Sequence, residues 1–216
     1  MGKLLPSKIA VVGGGPAGSY FSLFALQGAE KLGLDISVTI FDRRDFNQPG
    51  PKCCNMCAVA IGFNLIKRMK DLGLDLAPPV IQHEIKGFCV HSRENEASLH
   101  LPPEAKIFTV FRGGGPRPTD LGQMVSFDQF LLEKAISRGA KFQPLRVKRV
   151  QIDENKVEIH TEEDLEPYYA DLVIGAFGVN STIINRFAPH YVPPKTWHTC
   201  QTEVLLGEEY IREHFF

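Results

Sequence analysis

Residues 13–18 read Gly13-Gly14-Gly15-Pro16-Ala17-Gly18, a G-x-G-x-x-G spacing carried by Gly13, Gly15 and Gly18. Glycines spaced this way suit the binding of a phosphate by backbone. Gly13 permits a tight turn out of a strand, and Gly15 has no side chain to hold off a pyrophosphate. Gly18 lets the following helix pack closely on the strand. Pro16 and Ala17 open that helix, whose free N–H groups and roughly half a positive charge face the phosphates. Asp42 stands 24 residues beyond Gly18. A carboxylate there can accept hydrogen bonds from both ribose hydroxyls of an adenosine. Arg43 and Arg44 follow, suiting either a 2′-phosphate, which Asp42 would repel, or a solvated or adenine-packing role.

These residues need a strand, a turn, a helix and a second strand to bring them together. Lys8–Val12 is a short apolar run ending in glycines, the pattern of a buried parallel strand. Ala17, Tyr20, Phe21, Phe24 and Gly28 recur at helical spacing and predict a helix from Pro16 to about Lys31, ended by Gly33. Ile36–Phe41 is the second strand, so Asp42 stands at its end. The unit is βαβ, with a right-handed crossover expected. Asn47–Cys57 is turn-rich, and a helix is expected over Met56–Asp71. Pro78 and Pro79 mark a boundary. Gly87–His91, Ala97–Leu101 and Ile107–Phe111 predict a small antiparallel sheet. Ser126 is placed to cap a helix carrying Phe127, Phe130, Leu131 and Ala135. Strands follow over Lys141–Gln151 and Val157–Thr161, and Asp171–Gly175 reads as another buried strand.

The bulk numbers narrow the partners. Net charge is −1, with 23% charged and 44% hydrophobic residues, giving no basic excess for nucleic acid. No apolar run reaches the roughly 18 residues of a membrane span, and Met1–Pro6 is too short before the first strand for a signal peptide. The expectation is a soluble, cytoplasmic protein. The five cysteines are an odd number and argue against a disulfide framework.

Asp171-Leu172-Val173-Ile174-Gly175-Ala176-Phe177-Gly178-Val179-Asn180-Ser181 resembles the second nucleotide motif of the flavoprotein superfamily that holds the aromatic-ring hydroxylases and geranylgeranyl reductases. Phe127–Ala135 with Gly139-Ala140 resembles the helix between its two motifs. Cys54-Asn55-Met56-Cys57 and Arg112-Gly113-Gly114-Gly115-Pro116-Arg117 are similar to segments in one branch of its FAD-dependent oxidoreductases. The resemblance implies that Gly13, Gly15, Pro16, Ala17, Gly18, Asp42 and Arg43 surround the AMP half of FAD. It implies that Val147 meets the adenine through its backbone, and that Ala176 and Gly178 make a second close backbone approach. Arg112 or Arg117 would neutralise phosphate or steady the flavin.

Two positions depart from the superfamily pattern. Phe177 stands where Asp is usual. Ile184 stands where Arg is usual, with Arg186 nearby; both changes weaken a hydroxylase-like dock for NAD(P)H. The resemblance also implies a third motif, a G-D turn leading into a helix, and none follows Ser181. Thr196–Glu203 reads as the first strand of a substrate domain, so the expectation is a fragment or half of a split protein, completed by a C-terminal region or a partner chain.

For Cys54-x-x-Cys57, ahead of an expected helix that makes a thiolate more available, three readings stay open. They are soft packing near the flavin, a dithiol exchanging electrons with it, and a metal site assisted by Cys53, His83 or His91. No metal is assigned. The Arg112–Arg117 loop is either a surface hairpin or an anion clamp, the latter favoured because arginine binds phosphate bidentately.

The expected fold is α/β: a Rossmann-like FAD-binding parallel sheet over residues 1–190, with a small antiparallel layer inserted at 80–112. Residues 191–216 would start a truncated substrate domain. The expected function is an FAD-dependent oxidoreductase moving hydride or electrons between a reductant, NAD(P)H among the candidates, and a small organic substrate. Alternatives are a thiol-linked flavoenzyme using Cys54 and Cys57, a noncatalytic nucleotide-binding subunit, and an NAD-only dehydrogenase. No general acid or base stands out.

Overall fold

The computed structural model describes residues 7–49, 58–115, 125–153, 156–163, 166–179, 181, 183–184, 190–192, 194–196 and 206–215. Cys53, Cys54, Cys57, Arg117 and Arg186 lie outside the described residues, as does most of the expected Thr196–Glu203 strand.

β1 (Lys8–Val12), α1 (Pro16–Leu32) and β2 (Ser37–Phe41) form the expected βαβ unit. β8 (Lys141–Gln143) and β12 (Leu172–Gly175) complete an all-parallel sheet in the order β12-β1-β2-β8. The Asp171 carboxylate accepts from the Ser7 and Lys8 N–H groups at 2.9 and 2.8 Å, tying the start of β12 to that of β1. β12 is half exposed rather than buried, because it is a sheet edge.

Alternation along β1 divides the interior in two. Ile9 and Val11 point to a core with Leu23, Val38, Ile40 and Leu131. Ala10 and Val12 point to a second core with Phe41, Val147, Val150, Val157 and Ile159. The first is covered by α1 and α3 (Phe127–Ser137), and the second by an antiparallel sheet of β9 (Val147–Ile152), β10 (Val157–Thr161) and β11 (Tyr168–Ala170). Each buried aliphatic side chain contributes about 1.5–3 kcal/mol, so β1 is the seam of the fold. Phe41 meets Tyr168 edge-on with ring centroids 5.1 Å apart, and the Thr39 and Tyr168 hydroxyls lie 2.9 Å apart.

The helix ends follow local chemistry. Gly33 closes α1 with φ +63°, and Ser126 caps α3 by accepting from the Gln129 N–H at 3.1 Å. The buried face of α1 is not the one carrying the spaced residues Ala17, Phe24 and Gly28. Gly18, Ser19, Ser22 and Leu23 are buried, while Phe24 is 55% exposed. Contact between α1 and the sheet is close, so small residues face inward; Ser19 and Ser22 donate to the Gly14 and Gly18 carbonyls.

The middle of the chain also differs. The helix expected over Met56–Asp71 is described from Ala58 onward as a strand followed by a helix. β3 (Ala58–Gly62) pairs antiparallel with β7 (Ile107–Phe111), and only then does α2 (Phe63–Asp71) begin. The run Ala58-Val59-Ala60-Ile61 fits either period, and a partner strand far along the chain decides it. β4 (Ile81–Ile85) flanks β7 on its other side, whereas β5 (Gly87–His91) and β6 (Glu96–His100) form a separate hairpin. The expected three-strand layer is thus two sheets. The expected Lys141–Gln151 strand is likewise two, β8 and β9, in different sheets. A short α4 (Glu208–Phe215) follows. Among the described residues no helix is long and apolar enough to cross a membrane.

Candidate nucleotide site

The turn from β1 into α1 is held from below. The Gly13 N–H donates to the Phe41 carbonyl at 2.9 Å, and the Ala176 N–H to the Val12 carbonyl at 2.8 Å. Gly13 has φ +113°, and a Cβ there would run into the Ala176 carbonyl oxygen. A Cβ on Gly18 would overlap the Gly13 carbonyl oxygen. Those two glycines make backbone approach backbone within the protein. Gly15 is different. Its φ is −67°, and the nearest atom to an added Cβ is Arg44 Nη2 at 3.7 Å. The space over Gly15 is therefore open, at the start of a helix without a side-chain cap or a first-turn acid. Such an end attracts an anion.

Asp42 is buried at the end of β2 and accepts from the Gly14 N–H at 2.8 Å. Arg44 folds back on the same carboxylate, donating from Nη2 at 2.7 Å, from Nε at 3.1 Å and from its backbone N–H at 2.9 Å. The Arg44 guanidinium also lies 4.9 Å from the centre of the Phe46 ring. Burial pushes the Asp42 carboxyl up; the Arg44 guanidinium and the Arg44 and Gly14 N–H groups outweigh it and hold the group below its ordinary value. Arg43 points elsewhere, to Glu162 at 3.5 Å on the surface.

Arg112 reaches the site from the end of β7. Its Nε and Nη2 donate to the two oxygens of Asp128 at 2.6 and 2.7 Å, a bidentate pair. Asp128 is 1% exposed in the first turn of α3. Burial pushes its carboxyl above the ordinary range, against the pull of Arg112. The Ser126 Oγ donates to the Arg112 carbonyl, so the cap of α3 also fixes the arginine's backbone. The following loop is packed: the Gly114 N–H donates to the Gln48 carbonyl, and a Cβ on Gly114 would overlap the Asn47 carbonyl oxygen.

Two adjoining grooves collect these residues. One, of about 560 Å3, is lined by Gly15, Pro16, Ala17, Arg44, Arg112, Ala176, Phe177 and Gly178. The other, of about 760 Å3, runs past Gly13, Asp42, Arg43, Arg44, Arg112 and Gly178 to Val147. Of the described residues expected to surround the nucleotide, all but Gly18 line one groove or the other; Gly18 is buried beneath the turn, and His83 and His91, weighed for a metal, line neither. Phe177 lies across Gly175 and packs on the second core, so it forms wall where a carboxylate was usual. Two pairings were not anticipated, Arg44 with Asp42, although Arg44 was weighed for a 2′-phosphate or the adenine, and Asp128 with Arg112. The Asp-x-Arg spacing at a strand end is a signal for the first. The second pair joins residues 16 positions apart and has no local signal.

No protein-family model matches the sequence, and no curated protein is similar to it. Solved structures are similar in fold. The flavin-dependent brominase Bmp2, as a triple mutant, superposes with a TM-score of 0.60 at 20% identity, covering 85% of this chain and 41% of its own. The fold is that of flavin-dependent halogenases and monooxygenases. A structure of FqzB matches at a TM-score of 0.59 and 20% identity over 82% of this chain and 37% of its own. The p-nitrophenol 4-monooxygenase PnpA from Pseudomonas putida DLL-E4 matches at 0.56 and 14% over 83% and 43%. The halogenase PltM, solved with phloroglucinol and FAD, matches at 0.56 and 14% over 84% and 36%. The chain thus spans about two fifths of the length of the halogenases and monooxygenases whose fold it shares.

Proposed function

We propose that this chain binds FAD and forms the nucleotide-binding part of a cytoplasmic FAD-dependent oxidoreductase. The observation that carries the reading is the open space over Gly15, continuous with a groove that passes Asp42 and ends at Val147. The pyrophosphate would lie over Gly15 and the N-terminus of α1, with Arg44 and Arg112 supplying positive charge. Asp42 would accept from the adenosine ribose hydroxyls, and the backbone at Val147 would meet the adenine. Ala176 and Gly178 would form the opposite wall, Gly178 with φ +78° and no atom within 4 Å of an added Cβ. The fold shared with flavin-dependent enzymes favours FAD over a nicotinamide nucleotide at this site.

The flavin, when bound, supplies hydride or electron transfer between a reductant, such as NAD(P)H, and an organic substrate. This chain's residues bind and orient. The helix N-terminus and the two arginines balance the phosphate charge, Asp42 fixes the ribose, and Phe177 forms part of the groove wall. The test is a titration of the purified chain with FAD, ADP and FMN, followed by flavin fluorescence and by competition. FAD should bind, ADP should compete with it, and FMN should bind far more weakly. FMN binding as tightly as FAD would refute the adenosine groove.

A further inference from the structure

We propose that the β5–β6 hairpin carries a Zn2+ site formed by Cys89, His91 and Glu96. Cys89 and His91 are two residues apart on β5 and so stand on one face of it. The register pairs His91 with Glu96 and Cys89 with Ser98, which brings Glu96 to the same face from the other strand. The ligand atoms of the three side chains all lie within 4.8 Å of one another. Around a tetrahedral Zn2+ with ordinary Zn–S, Zn–N and Zn–O lengths, such donors sit about 3.4–3.6 Å apart. His91 Nδ1 is already 3.0 Å from Glu96 Oε2, and Cys89 Sγ is 3.7 Å from Ser98 Oγ. Closing on a metal therefore takes side-chain rotations of exposed groups, with the strand register unchanged.

The donor types select the ion. Mg2+ and Ca2+ prefer all-oxygen shells, whereas thiolate with imidazole suits Zn2+. Three protein ligands leave a fourth position for water or an incoming group. An exposed cross-strand ion pair accounts for His91 and Glu96 alone. It gives no reason for a free thiol two residues away on the same face. The hairpin is a sheet of its own, so this site and the nucleotide site stand or fall separately.

Thiols in general bind soft metals, so the test uses the full chain with Cys53, Cys54, Cys57 and Cys200 changed to serine. Titration with Co2+, followed by thiolate-to-cobalt absorption, should saturate at one equivalent, and Zn2+ should then abolish the band. His91→Ala and Glu96→Gln should each weaken Co2+ binding by about tenfold or more, since groups one shell further out already change metal affinity 10–100-fold. No band in the Cys89-only protein, or unchanged affinity in both variants, overturns the site. Should the four-serine protein fail to fold, Zn2+ stoichiometry in the natural sequence is compared with that of Cys89→Ser. One equivalent fewer is expected, and equal stoichiometry overturns the proposal. FAD affinity should be the same with and without Zn2+.

Discussion

Gly15→Val should separate nucleotide binding from folding, where Gly13→Ala and Gly18→Ala should not. At Gly15 the backbone is at φ −67° and ψ −175°, open to any residue, and an added Cβ meets only Arg44 Nη2 at an ordinary 3.7 Å. Adding a Cβ at such a glycine reduces the entropy of the unfolded chain, a gain of about 0.4–1 kcal/mol for alanine, which offsets the loss of a glycine preferred over valine at a helix N-cap. The branched side chain does occupy the space through which a pyrophosphate would reach the helix N–H groups. A hydrogen bond to a charged group contributes about 1.5–3 kcal/mol. Losing two weakens binding by about 3–6 kcal/mol, or two to four decades at about 1.4 kcal/mol each. At Gly13 an alanine must hold φ +113° and push on the Ala176 carbonyl. The backbone strain alone is about 1–3 kcal/mol, a large share of a total stability of about 5–15 kcal/mol. Thermal unfolding with and without FAD, and FAD affinity by fluorescence, read both effects. A folded Gly15→Val protein that binds FAD like wild type would refute the reasoning. So would a Gly15→Val protein destabilised as much as Gly13→Ala, because Gly15 would then be a packing residue.

Asp42→Ala should weaken ADP and FAD by the same amount, about 1.5–3 kcal/mol, and leave FMN alone; a deficit with FMN would contradict it. The folded-state pKa of Asp42 is depressed, so its contribution to stability is present above the unfolded value of about 3.9 and lost as pH falls through the folded one. Urea midpoints measured downward from about pH 5 should fall more steeply in wild type than in Asp42→Asn, and parallel curves would count against the pairing. Arg112→Ala leaves Asp128 buried without its bidentate partner and should destabilise by about 3–5 kcal/mol. Arg112→Met/Asp128→Leu should recover most of this, and a double variant no better than the single would show that the pair is not the cause. Anaerobic reduction of the FAD-loaded complete protein should take up two electrons, unchanged by Cys54→Ser/Cys57→Ser. Four electrons falling to two would establish the dithiol route.

The βαβ unit was legible because its signals are local. A glycine turn, a proline at the first helical position, Gly33 at the end and Asp42 after an apolar run each act within a few residues. Ser126 was legible for the same reason, since capping is a contact between residue 126 and residue 129. Ala58–Gly62 was misread because its apolar run suits a helix or a strand, and its partner is Ile107–Phe111, far along the chain. The inward face of α1 was not legible because the helical spacing of Ala17, Tyr20, Phe21, Phe24 and Gly28 marks the helix but not the face that meets the sheet. Close approach to a sheet instead selects Gly18, Ser19 and Ser22. The grooves were legible as a list of residues but not as electrostatics. Which carboxylate each arginine would choose depends on where β7 delivers Arg112, and no sequence period encodes that.

The two ion pairs divide the work that the proposed ligand demands. A dinucleotide brings ribose hydroxyls that need an acceptor and phosphates that need cations. Without it, each acid is matched to an arginine, Asp42 to Arg44 and Asp128 to Arg112, so neither groove wall holds an uncompensated buried charge. Arg44 is the more exposed of the two arginines, its side chain 43% against 26% for Arg112. Its guanidinium already lies beside Gly15, where the pyrophosphate would sit. A side-chain rotation would carry it from carboxylate to phosphate, exchanging one set of charge-assisted bonds for another and uncovering Asp42 for the ribose. The Gly14 N–H, which donates to Asp42 at 2.8 Å, would stay on the carboxylate through the exchange and keep it in place. Arg112 has no such freedom: leaving Asp128, 1% exposed, would strand a buried carboxylate. With the proposed FAD bound, Arg44 would thus be the exchanging cation and Arg112 the fixed one. Arg44→Ala should then raise the Kd for FAD and also lower stability, since Asp42 is buried and keeps only the backbone N–H groups of Gly14 and residue 44, but by less than Arg112→Ala because Arg44 is the more exposed partner.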